Sequence, residues 1–142
     1  MRKHAKTPIS KIQRFIWEEC KRIIKFMYGR TCYTCGKTNL GKYDRHTGHM
    51  FPKGAVGAYL KYDLRNLRPQ CYHCNINCGG MGAVFIEKMR RIEGDPYVDM
   101  IIQDKQKTVK AYDFYVDLLI EYQKIKTKSA VLAWTSLRSS SS

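Results

Sequence analysis

The sequence predicts an α+β fold, in which amphipathic helices flank a short, turn-rich centre with two strands. Apolar residues recur at helical spacing near both ends of the chain, whereas no such period runs through residues 30–80. Two Cys-x-x-Cys pairs bracket that central segment. The length of 142 residues fits one domain, and an aromatic content of 12% excludes a wholly disordered chain because it supplies surface to bury.

The positive charge is concentrated in the first part of the chain. Of a formal net charge of +14, residues 1–80 carry +12, from 16 Lys and Arg against four Asp and Glu. This excess favours a polyanionic partner, most simply DNA, whose phosphates release counterions when basic side chains approach. The alternative is that the charge serves solubility alone. A membrane span is not expected, since no run approaches the ~18 apolar residues that it needs.

Residues 1–29 are expected to form a basic amphipathic helix. Thr7 and Pro8 suit the N-cap and the first turn, and Gly29 suits the C-terminal stop. The apolar face consists of Ile9, Ile12, Phe15, Ile16, Cys20, Ile23, Ile24 and Met27. The basic outer face is as readily a solvated surface as a DNA contact. Charged residues interrupt the apolar stretch, so it is not a signal peptide, and we expect a cytoplasmic protein.

Four cysteines form two Cys-x-x-Cys knuckles: Cys32, Cys35, Cys71 and Cys74. Each knuckle turns the chain so that two thiolates face one ion, and two knuckles complete a closed tetrahedral site for Zn²⁺. Because such a site leaves no open coordination position, this zinc is expected to be structural. It would replace a core that so short a segment cannot build. The alternative is four unrelated thiols. Cys20 is expected in the core, and Cys78 is expected to be free.

Local patterns predict the remaining elements. Residues 45–51 and 59–67 are the strand candidates, and a hairpin with a long loop is their simplest arrangement. Helices are expected over 82–92, 96–102 and 103–128. The segment 129–142 ends in four serines and is expected to be a disordered tail.

The segment between the knuckles carries a second pattern. It reads Cys-x-x-Cys-Gly, then Gly-His-Met, then Arg-Asn-Leu-x-x-Gln-Cys-x-x-Cys-Asn, with His49, Asn66 and Asn75 in that order. This combination resembles the HNH nuclease motif of the ββα-metal type, in its His-Asn-Asn form. More specifically, it resembles the NinG (Rap) family of phage recombination nucleases. The resemblance covers residues 30–102 and implies a zinc-stapled HNH core over that range.

The resemblance implies metal-dependent hydrolysis of a DNA phosphodiester. His49 would be the general base, because a neutral imidazole accepts a proton near neutral pH. Asn75 would be an oxygen ligand of a catalytic Mg²⁺ or Mn²⁺, and Asn66 would hold the loop that orients the imidazole. Four basic residues would bind DNA phosphates: Arg45, Lys53, Arg65 and Arg68.

The motif leaves a further ligand of the catalytic metal open. Many HNH nucleases have an aspartate directly before the base histidine, where this chain and the NinG family have a glycine, here Gly48. Asp44 is the nearest acid and is slightly preferred as the ligand, because Mg²⁺ favours oxygen over imidazole. His46 is the alternative and would suit Mn²⁺, Ni²⁺ or Zn²⁺.

The expected function is therefore that of a DNA endonuclease in phage recombination or repair, acting in the host cytoplasm. The resemblance implies branched or junction DNA as substrate, and the two-fold symmetry of a junction favours a homodimer. The alternative is a non-catalytic zinc-ribbon protein that binds nucleic acid through its basic face.

Overall fold

A computed structural model describes residues 6–109 and 111–140 of the chain. It has the predicted α+β fold, with a two-stranded sheet among helices. The elements are α1 (Ile9–Tyr28), β1 (His46–His49), α2 (Ala58–Lys61), β2 (Leu67–Gln70), α3 (Gly82–Glu93), α4 (Asp95–Asp104), α5 (Tyr112–Gln123) and α6 (Lys128–Ser140). A 3₁₀ turn (Leu64–Asn66) precedes β2, and a π-helical turn (His73–Asn77) follows it. None of the helices within these described ranges is long and apolar enough to cross a membrane.

The N-terminal helix forms close to its predicted bounds. Pro8 precedes α1 with a φ of −58°, which suits a helix start, and Gly29 ends it with a φ of +73°, where a side chain would be strained. The buried face of α1 consists of Ile12, Ile16, Cys20, Ile23 and Ile24. This face packs against α5 and α6 in the main apolar core, which includes Cys20 as expected. The predicted helix also included residues 6–8, which are not helical, and residues 1–5, which lie outside the described residues.

The two strands form an antiparallel hairpin with a long loop. His46 lies opposite Gln70, and His49 lies opposite Leu67. The first strand falls within the predicted range 45–51. The pairing places β1 directly against the chain that leads into the second cysteine knuckle, since β2 ends at the residue before Cys71.

The strand predicted over 59–67 is wrong, because that segment forms α2 and the 3₁₀ turn. Apolar residues at 60, 62 and 64 give the segment the alternation of a strand. The Asp63 side chain overrides this pattern by capping the turn, where it accepts a hydrogen bond from the backbone N–H of Arg65 at 2.9 Å. The second strand begins only at Leu67.

The C-terminal region differs from its prediction in two ways. The single helix expected over 103–128 is shorter, since α5 spans only Tyr112–Gln123. The disorder predicted over 129–142 is wrong as far as residue 140, where the chain forms α6. This helix buries Val131 in the main core and sets the Trp134 ring edge-on to Tyr122, with centroids 5.3 Å apart. Residues 141–142 lie outside the described residues.

A second apolar cluster fastens the loop that follows β1. Met50 and Phe51 pack there with Leu60 of α2 and with Phe85 and Met89 of α3. Residues of α4 complete the cluster. The loop between the strands is therefore held from both ends, which fixes the backbone directly after His49.

Candidate functional site

The four predicted zinc ligands lie together. The sulfur atoms of Cys32, Cys35, Cys71 and Cys74 are all within 4.8 Å of one another. Cys35 Sγ and Cys71 Sγ are 3.7 Å apart. A tetrahedral site with Zn–S bonds of about 2.3 Å requires sulfur separations of about 3.8 Å. The donor set and its spacing therefore fit a structural zinc ion.

Hydrogen bonds between residues three or four positions apart shape the two knuckles. In the first, the Gly36 N–H donates to the Cys32 carbonyl at 3.0 Å, and Gly36 has a φ of +80°, which favours glycine. In the second, the Cys74 N–H donates to Cys71 Sγ at 3.4 Å. The Tyr33 N–H donates to the carbonyl of Pro69 in β2 at 2.8 Å, so the first knuckle is tied to the hairpin.

The pKa values of the clustered cysteines indicate that a bound cation is needed to deprotonate all four thiols. Burial raises the pKa of Cys74, and the neighbouring thiols raise it further, to about 12. Burial also acts to raise the pKa of Cys32, but the Thr34 hydroxyl and nearby backbone N–H groups outweigh it and lower the pKa to about 6. One thiolate is thus favoured, and deprotonation of all four needs a positive ion among them.

The other two cysteines lie outside the cluster. Cys20 is fully buried in the core, where its thiol donates to the Tyr62 carbonyl at 3.6 Å. Cys78 is exposed, with its sulfur 3.3 Å from His73 Nε2. Both placements agree with the predictions made from spacing.

The His49 imidazole is oriented by two contacts. His49 Nε2 lies 2.9 Å from the Lys61 carbonyl oxygen. A carbonyl only accepts hydrogen bonds, so Nε2 carries the proton and Nδ1 of the neutral ring keeps its lone pair. The ring also stacks on Trp17 of α1, with centroids 5.3 Å apart and planes 10° from parallel. Burial lowers the pKa of His49, the charges of Lys53 and Lys61 add to this shift, and the hydrogen bond to the Lys61 carbonyl opposes it, so the net shift favours the neutral ring.

The buried Asn66 side chain ties the loop after β1 to the turn before β2. Its Oδ1 accepts from the Phe51 N–H at 2.8 Å, and its Nδ2 donates to the carbonyls of Phe51 at 3.1 Å and Leu60 at 3.3 Å. Its backbone carbonyl accepts from the Met50 N–H at 2.8 Å. These are the contacts that the expected positioning role requires, and they begin one residue after His49.

His46 and Asn75 are in direct contact. His46 Nε2 lies 3.2 Å from the Tyr43 carbonyl, so this nitrogen is the donor and Nδ1 is the acceptor. Asn75 Nδ2 lies 3.1 Å from that Nδ1. Asn75 directly follows Cys74, so the cysteine cluster fixes where its amide meets β1.

His49 and Asn75 line the same cleft, which has a volume of about 270 Å³. Lys53, Gly79 and Gly80 also line it. The hairpin supplies the histidine and the π-helical turn supplies the asparagine. The structure thus brings together residues that are 26 positions apart in the sequence.

Asp44 has other partners. Its Oδ2 forms an ion pair with Lys37 Nζ at 2.6 Å, and its Oδ1 accepts from the Tyr72 N–H at 2.8 Å. The hydrogen bond and charge of Lys37 lower the pKa of the Asp44 carboxyl group. Asp44 thus links Lys37, which follows the first knuckle, to the second knuckle, and His46 is the residue that contacts Asn75. Both Asp44 oxygens thus have partners, whereas His46 contacts Asn75, and the choice between the two as metal ligand stays a prediction.

The predicted DNA contacts of Arg65 and Arg68 are wrong, because both side chains are buried, with exposures of 0% and 1%. Arg65 forms ion pairs with Asp63 at 2.8 Å and Asp104 at 2.6 Å. The Arg68 guanidinium lies 4.4 Å from the Tyr28 ring centroid and donates to backbone carbonyls. Both arginines hold the fold together and cannot reach a phosphate.

The other two predicted DNA contacts keep access to solvent. Lys53 is exposed in the loop after β1 and lines the cleft with His49. Arg45 is half-buried and lies directly before β1. The DNA-binding role of both residues stays a prediction.

Close packing against the neighbouring strand requires a glycine at position 48, directly before His49. A Cβ at Gly48 would overlap the side chain of Gln70 on the neighbouring strand. Gln70 Nε2 donates to the Gly80 carbonyl at 2.8 Å and to Thr34 Oγ1 at 3.0 Å. The space that an aspartate would need is thus filled by a glutamine that links the first knuckle to the segment after the second.

Sequence reasoning missed Trp17 and Lys61. Trp17 lies in α1 just beyond the apolar face, where it seemed part of an ordinary amphipathic helix. Lys61 acts through its backbone carbonyl, which no side-chain motif reveals. The one available signal was the large aromatic ring of Trp17 beside the charged residues Arg14 and Glu18.

The fold and the cysteine cluster define this protein as a mixed α+β protein with a site suited to structural zinc. A family model described as "NinG: Bacteriophage Lambda NinG protein" matches residues 2–130. The chain therefore belongs to the NinG family. No curated protein and no solved structure matches it.

Proposed function

We propose that this protein is a metal-dependent DNA endonuclease that hydrolyses phosphodiester bonds in phage recombination or repair. The observation that carries the proposal is the shared cleft of His49 and Asn75, with His46 in contact with Asn75. Family membership supports a role in phage recombination, and branched DNA is the proposed substrate. Homodimerisation stays a prediction.

In the proposed reaction, His49 Nδ1 accepts a proton from the water that attacks the phosphorus. The Lys61 carbonyl holds the opposite nitrogen as the donor, so the basic lone pair belongs to Nδ1. Trp17 and the Asn66-bonded loop limit rotation of the imidazole. The lowered pKa keeps the ring neutral and able to accept a proton at neutral pH.

His46 and Asn75 are the proposed ligands of a divalent cation. The cation would take the place of the Asn75 Nδ2–His46 Nδ1 hydrogen bond, with the Nδ1 lone pair of His46 and the amide oxygen of Asn75 as its ligands. This set suits Mn²⁺ better than Mg²⁺. When bound, the cation would stabilise the negative charge that develops on the phosphate and the leaving 3′ oxygen. The Tyr43 carbonyl orients His46 in the same way that the Lys61 carbonyl orients His49.

A cleavage assay tests this function. Linear, flapped and four-way DNA are incubated with the zinc-loaded protein and Mg²⁺, Mn²⁺ or EDTA. We expect cleavage that needs added metal, with Mn²⁺ the better activator. His46→Ala should raise the half-saturating Mn²⁺ concentration at least about 10-fold, because it removes a direct ligand and even outer-shell losses cost about 10–100-fold. Asp44→Asn should leave that concentration unchanged.

The outcomes separate the two candidate ligands. If Asp44→Asn rather than His46→Ala raises the metal requirement, the carboxylate is the ligand and the assignment of His46 is wrong. Zinc content is measured for each variant, because Asp44 also braces the second knuckle.

The second candidate function is a non-catalytic zinc protein that binds nucleic acid. It is favoured by one observation: the residues described as lining the His49 clefts include no carboxylate, the ligand that Mg²⁺ prefers. This alternative predicts DNA binding without cleavage in any of the metals. Intact binding with no nicking of any DNA would establish it against the endonuclease.

A further inference from the structure

A second cleft lies on the other side of the His49 ring. It also has a volume of about 270 Å³, and Trp17, His49 and Lys53 line both clefts. The two clefts are therefore neighbours, with the imidazole between them. The second is walled by α1, which lies outside the range that carries the nuclease resemblance.

One face of α1 supplies that wall. Ser10, Gln13, Arg14 and Trp17 are spaced i, i+3, i+4 and i+7, so they form a single stripe beside the apolar face of the helix. The stripe presents a hydroxyl, an amide and a guanidinium, all of which can donate hydrogen bonds. The residues of this stripe line the second cleft, and Ser10 and Arg14 are exposed to solvent.

All the charged side chains that line the second cleft are cationic. Its ionisable side chains besides His49 and Tyr62 are Arg14, Lys53 and Lys61, and no carboxylate lines it. None of these three cations forms an ion pair with a carboxylate in the described part of the chain. In contrast, Arg65 and Arg90 each pair with two carboxylates. Three uncompensated cations around one cavity favour an anion there.

We propose that this second cleft binds a backbone phosphate of the DNA strand that flanks the cleaved bond, with Arg14 and Lys61 as the main contacts. The proposal rests on the proposed endonuclease function and extends it to α1. A strand that passes the His49 ring would enter the second cleft directly, because the ring borders both. A phosphodiester supplies the anionic oxygens that the guanidinium and ammonium groups bind.

Salt-dependent binding tests the proposal. The double variant Arg14→Gln/Lys61→Gln is compared with Lys124→Gln/Lys126→Gln, which removes the same charge from exposed positions outside both clefts. Affinity for fluorescent four-way DNA is measured in EDTA at several salt concentrations. Each phosphate contact contributes about 0.9 to the slope of log K against log[salt]. Because Arg14 and Lys61 would share one phosphate, the cleft variant should lose about 0.9 of slope, or about 8-fold in affinity at 0.1 M relative to 1 M salt, and the control should keep the wild-type slope.

Equal slopes for the two double variants, with unchanged thermal unfolding midpoints, would overturn the proposal. Displacement of DNA by inorganic phosphate beyond that caused by chloride at matched ionic strength, abolished in the cleft variant, would support the proposal. Binding of inorganic phosphate to the cleft with equal DNA slopes for the two double variants would assign the cleft to free phosphate and overturn the assignment to the DNA backbone.

Cleavage by the wild-type protein separates this proposal from the endonuclease. If the wild type does not cut DNA but the cleft variant alone loses slope, the endonuclease fails and the phosphate cleft stands. If the wild type cuts DNA and the two double variants bind alike, the cleft fails and the endonuclease stands.

Discussion

His49→Ala is expected to lower the single-turnover rate of DNA cleavage by about 10²–10⁴-fold, the usual contribution of a general base. The substitution removes the only imidazole that lines the cleft with Asn75 among the described residues. It leaves the basic side chains of both clefts in place, so the affinity for DNA should stay within about twofold of the wild-type value. The rate is measured with Mn²⁺ and four-way DNA, and the affinity is measured in EDTA.

His73→Ala is the matched control for this variant. His73 is exposed in the π-helical turn, contacts Cys78 and Asn77, and lines neither cleft. Its removal should leave the cleavage rate within about twofold of the wild-type value. A His49→Ala protein that cuts DNA as fast as the control would show that another group takes the proton.

Cys71→Ser is expected to release zinc and to unfold the centre of the protein. Serine cannot replace the soft thiolate ligand, and the variant leaves the three remaining sulfurs with an open site. Structural zinc contributes about 10–16 kcal/mol in small zinc domains, which is as large as the whole stability of an ordinary domain. Zinc stoichiometry, circular dichroism and limited proteolysis over residues 30–80 measure the loss.

Cys78→Ser provides the control, because Cys78 is an exposed cysteine of the same segment that lies outside the sulfur cluster. This protein should bind one zinc ion per chain and resist proteolysis like the wild type. A Cys71→Ser protein with one bound zinc and a native spectrum would contradict the assignment of Cys71 as a ligand.

The sequence predicts the zinc cluster and α1 well, because both depend on short-range spacing. Two residues between cysteines are enough to form a knuckle, and the apolar period of α1 runs for five turns without a competing signal. The contact of Asn66 with the loop after β1 could also be anticipated, since a carboxamide between a turn and a strand readily bonds to backbone groups.

The burial of Arg65 could not be predicted in the same way. It depends on Asp104, which lies 39 residues further along the chain, and on Asp63, whose second oxygen also pairs with Arg138 of α6. An arginine beside a motif asparagine therefore looks like a phosphate ligand until its distant partners are known. Removing one partner from a buried ion pair strongly lowers the free energy of unfolding, so the ion pairs of Arg65 contribute to the stability of the fold.

The structure of the segment 129–140 also could not be predicted from its local composition. Its serines and its single charged residue, Arg138, give it the composition of a tail. It nevertheless forms α6, because Val131 and Trp134 find a core made by α1 and α5. Tertiary packing thus overrides local composition there. The proposal of His46 over Asp44 as metal ligand likewise depends on partners, since Lys37 and the Tyr72 N–H contact the Asp44 carboxylate.

Nitrogen NMR of the histidine side chains, with the zinc-loaded protein, tests most directly whether His49 is an oriented neutral base. We predict that His49 carries its proton on Nε2, that Nδ1 is unprotonated at pH 7, and that the ring titrates below the ordinary pKa of about 6.5. Cleavage should then lose activity only as the pH falls through that lowered pKa, where the base becomes protonated. A proton on Nδ1, or a pKa at or above 6.5, would contradict the proposed mechanism.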